Sequence, residues 1–127
     1  MNPNRRYKLA REIANIQFLL EPERINLHIS FIVFSKSLVY GINSTKTHPR
    51  ILREYGGFKQ CLHSEMDALL KIQNVTEKNK VLVNFRYSRT SELPKMSKPC
   101  VYCQMWIPEV FEHVYYTNEY AELTKMY

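Results

Sequence analysis

Two short stretches hold the residues best suited to chemistry: His63-Ser64-Glu65 and Pro99-Cys100-Val101-Tyr102-Cys103. One imidazole and two thiolates form a ligand set for zinc, and three protein ligands leave the fourth tetrahedral position open, as catalytic sites do. Cys100 and Cys103 are three residues apart, so on a first helical turn both sulfurs lie on one side. The free N–H groups and positive dipole end of a helix start favour thiolate over thiol. Glu65 lies two residues beyond His63, and residues two apart on a regular helix point roughly 200° away from each other. Both can approach one metal only if His63 stands at the very start of its helix, which predicts a helix beginning within about two residues of it. Glu65 is then no ligand but a carboxylate beside the open position, able to take and return a proton. Taken alone, each stretch has a plainer reading. A single His-x-Glu is usually a surface pair, and a C-x-x-C is a structural zinc half-site when a second such pair exists. A redox C-x-x-C belongs just after a first strand, whereas this one comes late and has a histidine partner.

The elements that must position these residues follow from periodicity. Residues 5–20 read as an amphipathic helix with Leu9, Ile13, Ile16 and Leu20 on one face, packed on a sheet, and Glu21-Pro22 ends it. From 25 to 34 the pattern changes to period two, with Ile25, Leu27, Ile29, Phe31 and Val33 on one side. A short polar turn at 35–37 leads to a second strand, Leu38 to Ile42, so the pair reads as a hairpin. Segment 43–59, with Pro49, Gly56 and Gly57, is a long irregular connection. A helix near 63–74 buries Leu62, Met66, Leu69 and Leu70, and a third strand runs from Val81 to Tyr87. Pro99 is expected as the first residue of a further helix that carries Met105 and Trp106 inward and stops or kinks at Pro108. A fourth strand around His113–Thr117 leaves about ten residues as a short tail. Helices crossing between the later strands imply parallel pairing there and cover both sheet faces, a three-layer α/β/α sandwich with a mixed sheet of four to five strands.

In this order, H-x-E … P-C-x-x-C, the two stretches resemble the signature of the zinc-dependent cytidine/deoxycytidylate deaminase superfamily. The resemblance covers about residues 25 to 117, and its core is the same α/β/α sandwich. It implies one zinc ion held by His63, Cys100 and Cys103, with Glu65 moving the proton of a zinc-activated water that attacks C4 of cytosine and releases ammonia. It also implies substrate contacts. Asn43 of Tyr40-Gly41-Ile42-Asn43 stands where the family's G-x-N asparagine bonds the nucleoside. The backbone at Ser64, usually alanine, would contact the base. The carbonyl of Lys98, with Ser97 nearby, would accept the substrate amino group. Cys61 is read as a small buried hydrophobe, the alternative being a second zinc with His48. His28 and His113 are read as structural or surface residues.

Composition and charge narrow the partners. The 127 residues suffice for a single domain with one core, and no apolar run is long enough to span a bilayer. No signal-peptide core follows the basic N-terminus, and three cysteines do not make a disulfide framework, so a cytoplasmic protein is expected. The net charge of +6 resides in segments 45–59 and 86–98, each with four basic side chains against one acidic. Each segment leads up to one half of the signature, which favours a phosphate-bearing substrate, with Lys46, Arg50 and Arg89 as candidates for gripping the phosphate. Three readings follow. The first is a deaminase of a CMP/dCMP-type nucleotide. The second is a polynucleotide deaminase in which the same residues line a single-strand track and Tyr55, Phe58 or Tyr87 stack bases. The third is a silent nucleic-acid-binding module, which the intact Glu65 and ligand set oppose. The S-W-S-P-C context of polynucleotide cytidine deaminases is replaced here by Met96-Ser97-Lys98-Pro99-Cys100. Tyr102 stands where tRNA adenosine deaminases have methionine, and Val101 where free-cytidine deaminases have glycine. The nucleotide reading is the one carried forward. The short tail resembles the stripped-down viral versions of the family, which implies a viral protein in host cytoplasm and leaves an oligomer open.

Overall fold

A computed structural model describes residues 3–24, 26–34, 37–43, 63–72, 80–88, 95–104, 107–120 and 122–126. In chain order the elements are α1 (Pro3–Leu19), β1 (Asn26–Val33), β2 (Leu38–Ile42), α2 (Ser64–Leu70), β3 (Val81–Ser88), α3 (Val101–Gln104), α4 (Ile107–Val110), β4 (His113–Thr117) and β5 (Leu123–Lys125). The strands form one mixed sheet in the order β2-β1-β3-β4-β5. β1 pairs antiparallel with both β2 and β3, β3 pairs parallel with β4, and β4 pairs antiparallel with β5. This is the α/β fold with a mixed central sheet that the periodicity predicts. The parallel β3–β4 pair is joined through α3 and α4, as a crossover connection requires.

Alternation along β1 and β3 divides the residues between two layers of packing. Leu27, Ile29, Phe31 and Val33 join Val83, Phe85 and Tyr87 against Ala10, Ala14 and Phe18 of α1. Ile32, Leu82 and Val114 face the other way and pack with Met66, Leu69, Cys103, Ile107 and Phe111. The second layer is therefore the one that carries both halves of the signature. Among the described residues no helix is long and apolar enough to cross a membrane.

Five expectations need correction. α1 does not bury its Leu9–Ile13–Ile16–Leu20 stripe: Leu9, Ile16 and Leu20 are 47%, 57% and 70% exposed, while Ala10 and Ala14 are fully buried. The sheet face below is crowded with rings, Phe31 against Phe85 and Phe18 stacked on Tyr87. Alanines let the helix approach such a surface where leucines would hold it off. The supposed tail is not a tail, because Leu123–Lys125 pairs with β4 as a fifth strand. Pro99 precedes α3 by two residues, so Cys100 rather than Pro99 stands at the cap, with Gln104 N donating to its carbonyl at 3.0 Å. Pro108 does not end a helix but sits in the first turn of α4, where a missing N–H costs nothing. The helix around 63–74 is also shorter, Ser64–Leu70. Leu62, Met105 and Trp106 lie outside the described residues.

Candidate metal centre

His63 is the N-cap residue of α2, with extended backbone (φ −74°, ψ 152°), and its carbonyl accepts from Asp67 N at 3.0 Å. Its side chain makes no capping hydrogen bond. The imidazole turns instead to the other half of the signature. Nδ1 lies 3.5 Å from Cys100 Sγ and 3.5 Å from Cys103 Sγ. The three ligand atoms all fall within 4.8 Å of one another. A tetrahedral zinc with Zn–N of about 2.0 Å and Zn–S of about 2.3 Å separates nitrogen from sulfur by about 3.5 Å. The donor set therefore fits a zinc ion in both chemistry and spacing. Among the described residues this trio is the one group of three such side chains that could hold a metal.

Without metal the two sulfurs divide a proton unequally. The Cys100 thiol is lowered to about 4, first by its hydrogen bond with Cys103 and then, against the effect of burial, by His63. Cys103 is pushed far up by the same bond and by burial, with a hydrogen bond to Glu65 acting in the same direction. His63 is raised, chiefly through its bond with Cys100. Glu65 itself is buried in the first turn of α2 and borders the cleft together with His63 and Cys100.

A polar chain runs beneath Glu65. Ser64 Oγ donates to Glu65 Oε1 at 3.0 Å and lies 2.7 Å from Ser30 Oγ, which in turn bonds Asn84 Oδ1 at 2.6 Å. Asn84 Nδ2 donates to the carbonyl of Ser97 at 3.3 Å, and Ser97 Oγ donates back to the Asn84 carbonyl at 2.7 Å. Thr117 ties the same segment to β4, its N–H donating to Ser97 Oγ at 2.7 Å. Asn84 thus joins the α2 half of the site to the segment that leads into Cys100. Ser64 is more than an alanine substitute here, since its buried hydroxyl is a link in this chain.

The cleft above the trio measures about 950 Å³ and is bordered by Arg24, Asn43, Ser64, Ser97 and Lys98 among others. Asn43 follows β2 and is firmly held. Its Oδ1 accepts from His28 N at 2.9 Å and from Arg24 Nη1 at 3.1 Å, and Arg24 Nη1 also donates to its carbonyl at 2.9 Å. With Oδ1 occupied twice, what Asn43 can offer a ligand is its Nδ2 donor. Lys98 is exposed at the cleft edge, and its neighbour's carbonyl, that of Ser97, is already engaged by Asn84. The predicted phosphate-gripping residues Lys46, Arg50 and Arg89, together with His48, Tyr55, Phe58 and Cys61, lie outside the described residues. His28, read from sequence as structural or surface, is a cleft residue. Burial, and behind it the charges of Arg86 and His63, lower it to about 4, so it is a neutral imidazole at physiological pH. His28, Ser30, Asn84 and Arg24 were missed as site residues. The signal for the first three was present: they interrupt the apolar run on the face of β1 and β3 turned away from α1.

Gly41 holds α2 at the right height. A Cβ on it would collide with Ala68 N and stand 2.6 Å from the Ser64 carbonyl. The docking is completed by Ile42 N donating to Asp67 Oδ2 at 2.8 Å and Lys71 Nζ donating to the Tyr40 carbonyl at 2.8 Å. Gly41→Ala is expected to destabilise the fold by about 3 kcal/mol, because backbone cannot yield as a side chain can. It should also weaken zinc affinity at least tenfold by displacing His63. Urea unfolding and a competitive zinc titration check the two effects.

Compared with protein-family models, with curated proteins and with solved structures, the chain gives no match in any of the three.

Proposed function

We propose that this chain is a zinc-dependent hydrolytic deaminase of the cytidine/deoxycytidylate type, converting cytosine to uracil in a CMP- or dCMP-type nucleotide. The observation that carries the reading is the spacing of His63 Nδ1, Cys100 Sγ and Cys103 Sγ with the buried Glu65 carboxylate beside them at one cleft. A zinc ion held by His63, Cys100 and Cys103 would supply the Lewis acidity that lets water lose a proton near neutral pH. Glu65 accepts that proton and passes it to the ring nitrogen of the base, then to the departing amine, so that cytosine and water become uracil and ammonia. Ser64 Oγ donates to Oε1 and so orients the carboxylate for this transfer. Asn43 Nδ2 binds the sugar. The exposed Lys98 ammonium at the cleft edge meets the phosphate, while Arg24, paired with Glu21 and bonded to Asn43, holds Asn43 in place.

The test offers zinc-loaded protein cytidine, CMP, dCMP and a cytosine-containing single-stranded oligonucleotide side by side, reading uracil formation with Glu65→Gln as the blank. Turnover of CMP or dCMP in preference to the others is expected. Turnover of the oligonucleotide alone, falling with added salt, would replace the nucleotide by a polynucleotide substrate. No turnover of any of them by protein carrying one zinc would remove the deaminase reading and leave a binding module.

A further inference from the structure

α1 has two apolar faces, and among the described residues only one is fully packed against the sheet. Ala10, Ala14 and Phe18 pack on the sheet. Leu9, Ile13, Ile16 and Leu20 recur at alternating intervals of four, three and four residues, so they form one narrow stripe about a third of a turn around the helix from the buried face. Ile13 is half-buried, while Leu9, Ile16 and Leu20 are exposed together with Leu19 at 73%. Four large aliphatic side chains in water along one helix are costly and mark an interaction surface. Intervals of three and four are those of a helix meant to pack lengthwise against another helix.

The charges along α1 identify the occupant. Arg5, Lys8 and Arg11 stand exposed in its first half with Glu12 among them, and Glu21, Glu23 and Arg24 follow its last turn. Glu21 pairs with Arg24 at 3.3 Å, and the start is net positive, the end net negative. The first turn has no acidic residue and the last turn no basic one, so α1 leaves its own dipole uncompensated at both ends. A second α1 laid antiparallel across the stripe corrects this at both ends, bringing its acidic end to the basic start and its basic start to the acidic end. We propose that the exposed stripe of α1 is a self-association surface on which a second copy of this chain docks antiparallel, Leu9 against Leu20 and Ile13 against Ile16 about a two-fold axis. The contact is isologous, so every favourable pairing occurs twice. A membrane surface fits the stripe less well, since acidic groups at one end would face anionic headgroups. Leu20, Glu21 and Glu23 also border the cleft, so docking brings the second copy's Arg5 and Lys8 to the rim and adds positive charge there. The association itself does not depend on the deaminase reading.

Sedimentation equilibrium of the full zinc-loaded chain at low salt is expected to give a monomer–dimer equilibrium. Ile16→Glu should weaken it by about a hundredfold or more, since the substitution acts twice. Ile16 is exposed, so the thermal midpoint of dilute monomer should hold, and Leu9→Gln provides a second variant with the same expectation. Lys8→Glu and Glu23→Lys alone should each weaken the dimer about two- to tenfold, and the two combined should restore it. Restoration is the outcome that only an antiparallel second copy predicts. A monomer into the upper micromolar range would overturn the proposal, whether the stripe binds anionic vesicles instead or is closed off by the molecule's own chain. A dimer indifferent to Ile16→Glu and to the charge exchange would overturn it equally.

Discussion

Glu65→Gln is expected to lower turnover by about 10²- to 10⁴-fold while zinc content stays at one per chain. The amide has the same size as the carboxylate and can still accept from Ser64 Oγ, which holds Oε1 at 3.0 Å. It keeps the shape of the buried pocket but cannot take a proton from water. The loss should therefore fall on kcat more than on KM, because substrate binding rests on other cleft residues. Steady-state kinetics together with metal analysis of the same preparation separate the outcomes. Undiminished kcat would show that the proton travels by another route. Loss of zinc on substitution would show Glu65 to be a ligand rather than a proton carrier.

Metal uptake by the apoprotein should release at least one proton and strengthen about tenfold per pH unit near neutrality. The sign follows from the two sulfurs. Cys100, lowered to about 4, is already a thiolate at pH 7 and gives up nothing. Cys103, raised by its bond to Cys100 and by burial, keeps its proton until the metal displaces it. His63 is raised as well, so any imidazolium present must also deprotonate, which steepens the dependence toward acid. Cobalt titrations across pH, followed through the thiolate-to-metal absorption band, report affinity without any substrate. Cys103→Ser should abolish stoichiometric binding and that band. A pH-independent affinity would mean that both sulfurs are ionised before the metal arrives.

His63, Glu65, Cys100 and Cys103 were legible in the sequence because ligand chemistry constrains residue type and spacing together. Their order alone required His63 to begin a helix, and it is the N-cap of α2. The strands were legible for a similar reason: period two along 27–33 and 81–87 defines one apolar face whatever the partner. Leu38–Ile42 and His113–Thr117 stand where the pattern put them. Other features were not legible, and each for a physical reason. Periodicity says which residues of α1 share a face, but with Leu9–Leu20 on one face and Ala10–Phe18 on another, only the crowded rings of the sheet decided which face went in. Leu123–Lys125 is too short to announce a strand and becomes one because β4 presents an open edge to it. The polar chain from Glu65 through Ser30 to Asn84 joins residues 34 and 54 positions apart, a relation no local pattern encodes. The sequence by itself determined the donor set of the candidate metal site and the strands beneath it. Only the tertiary structure decided what surrounds that site, because burial and contact depend on which elements meet.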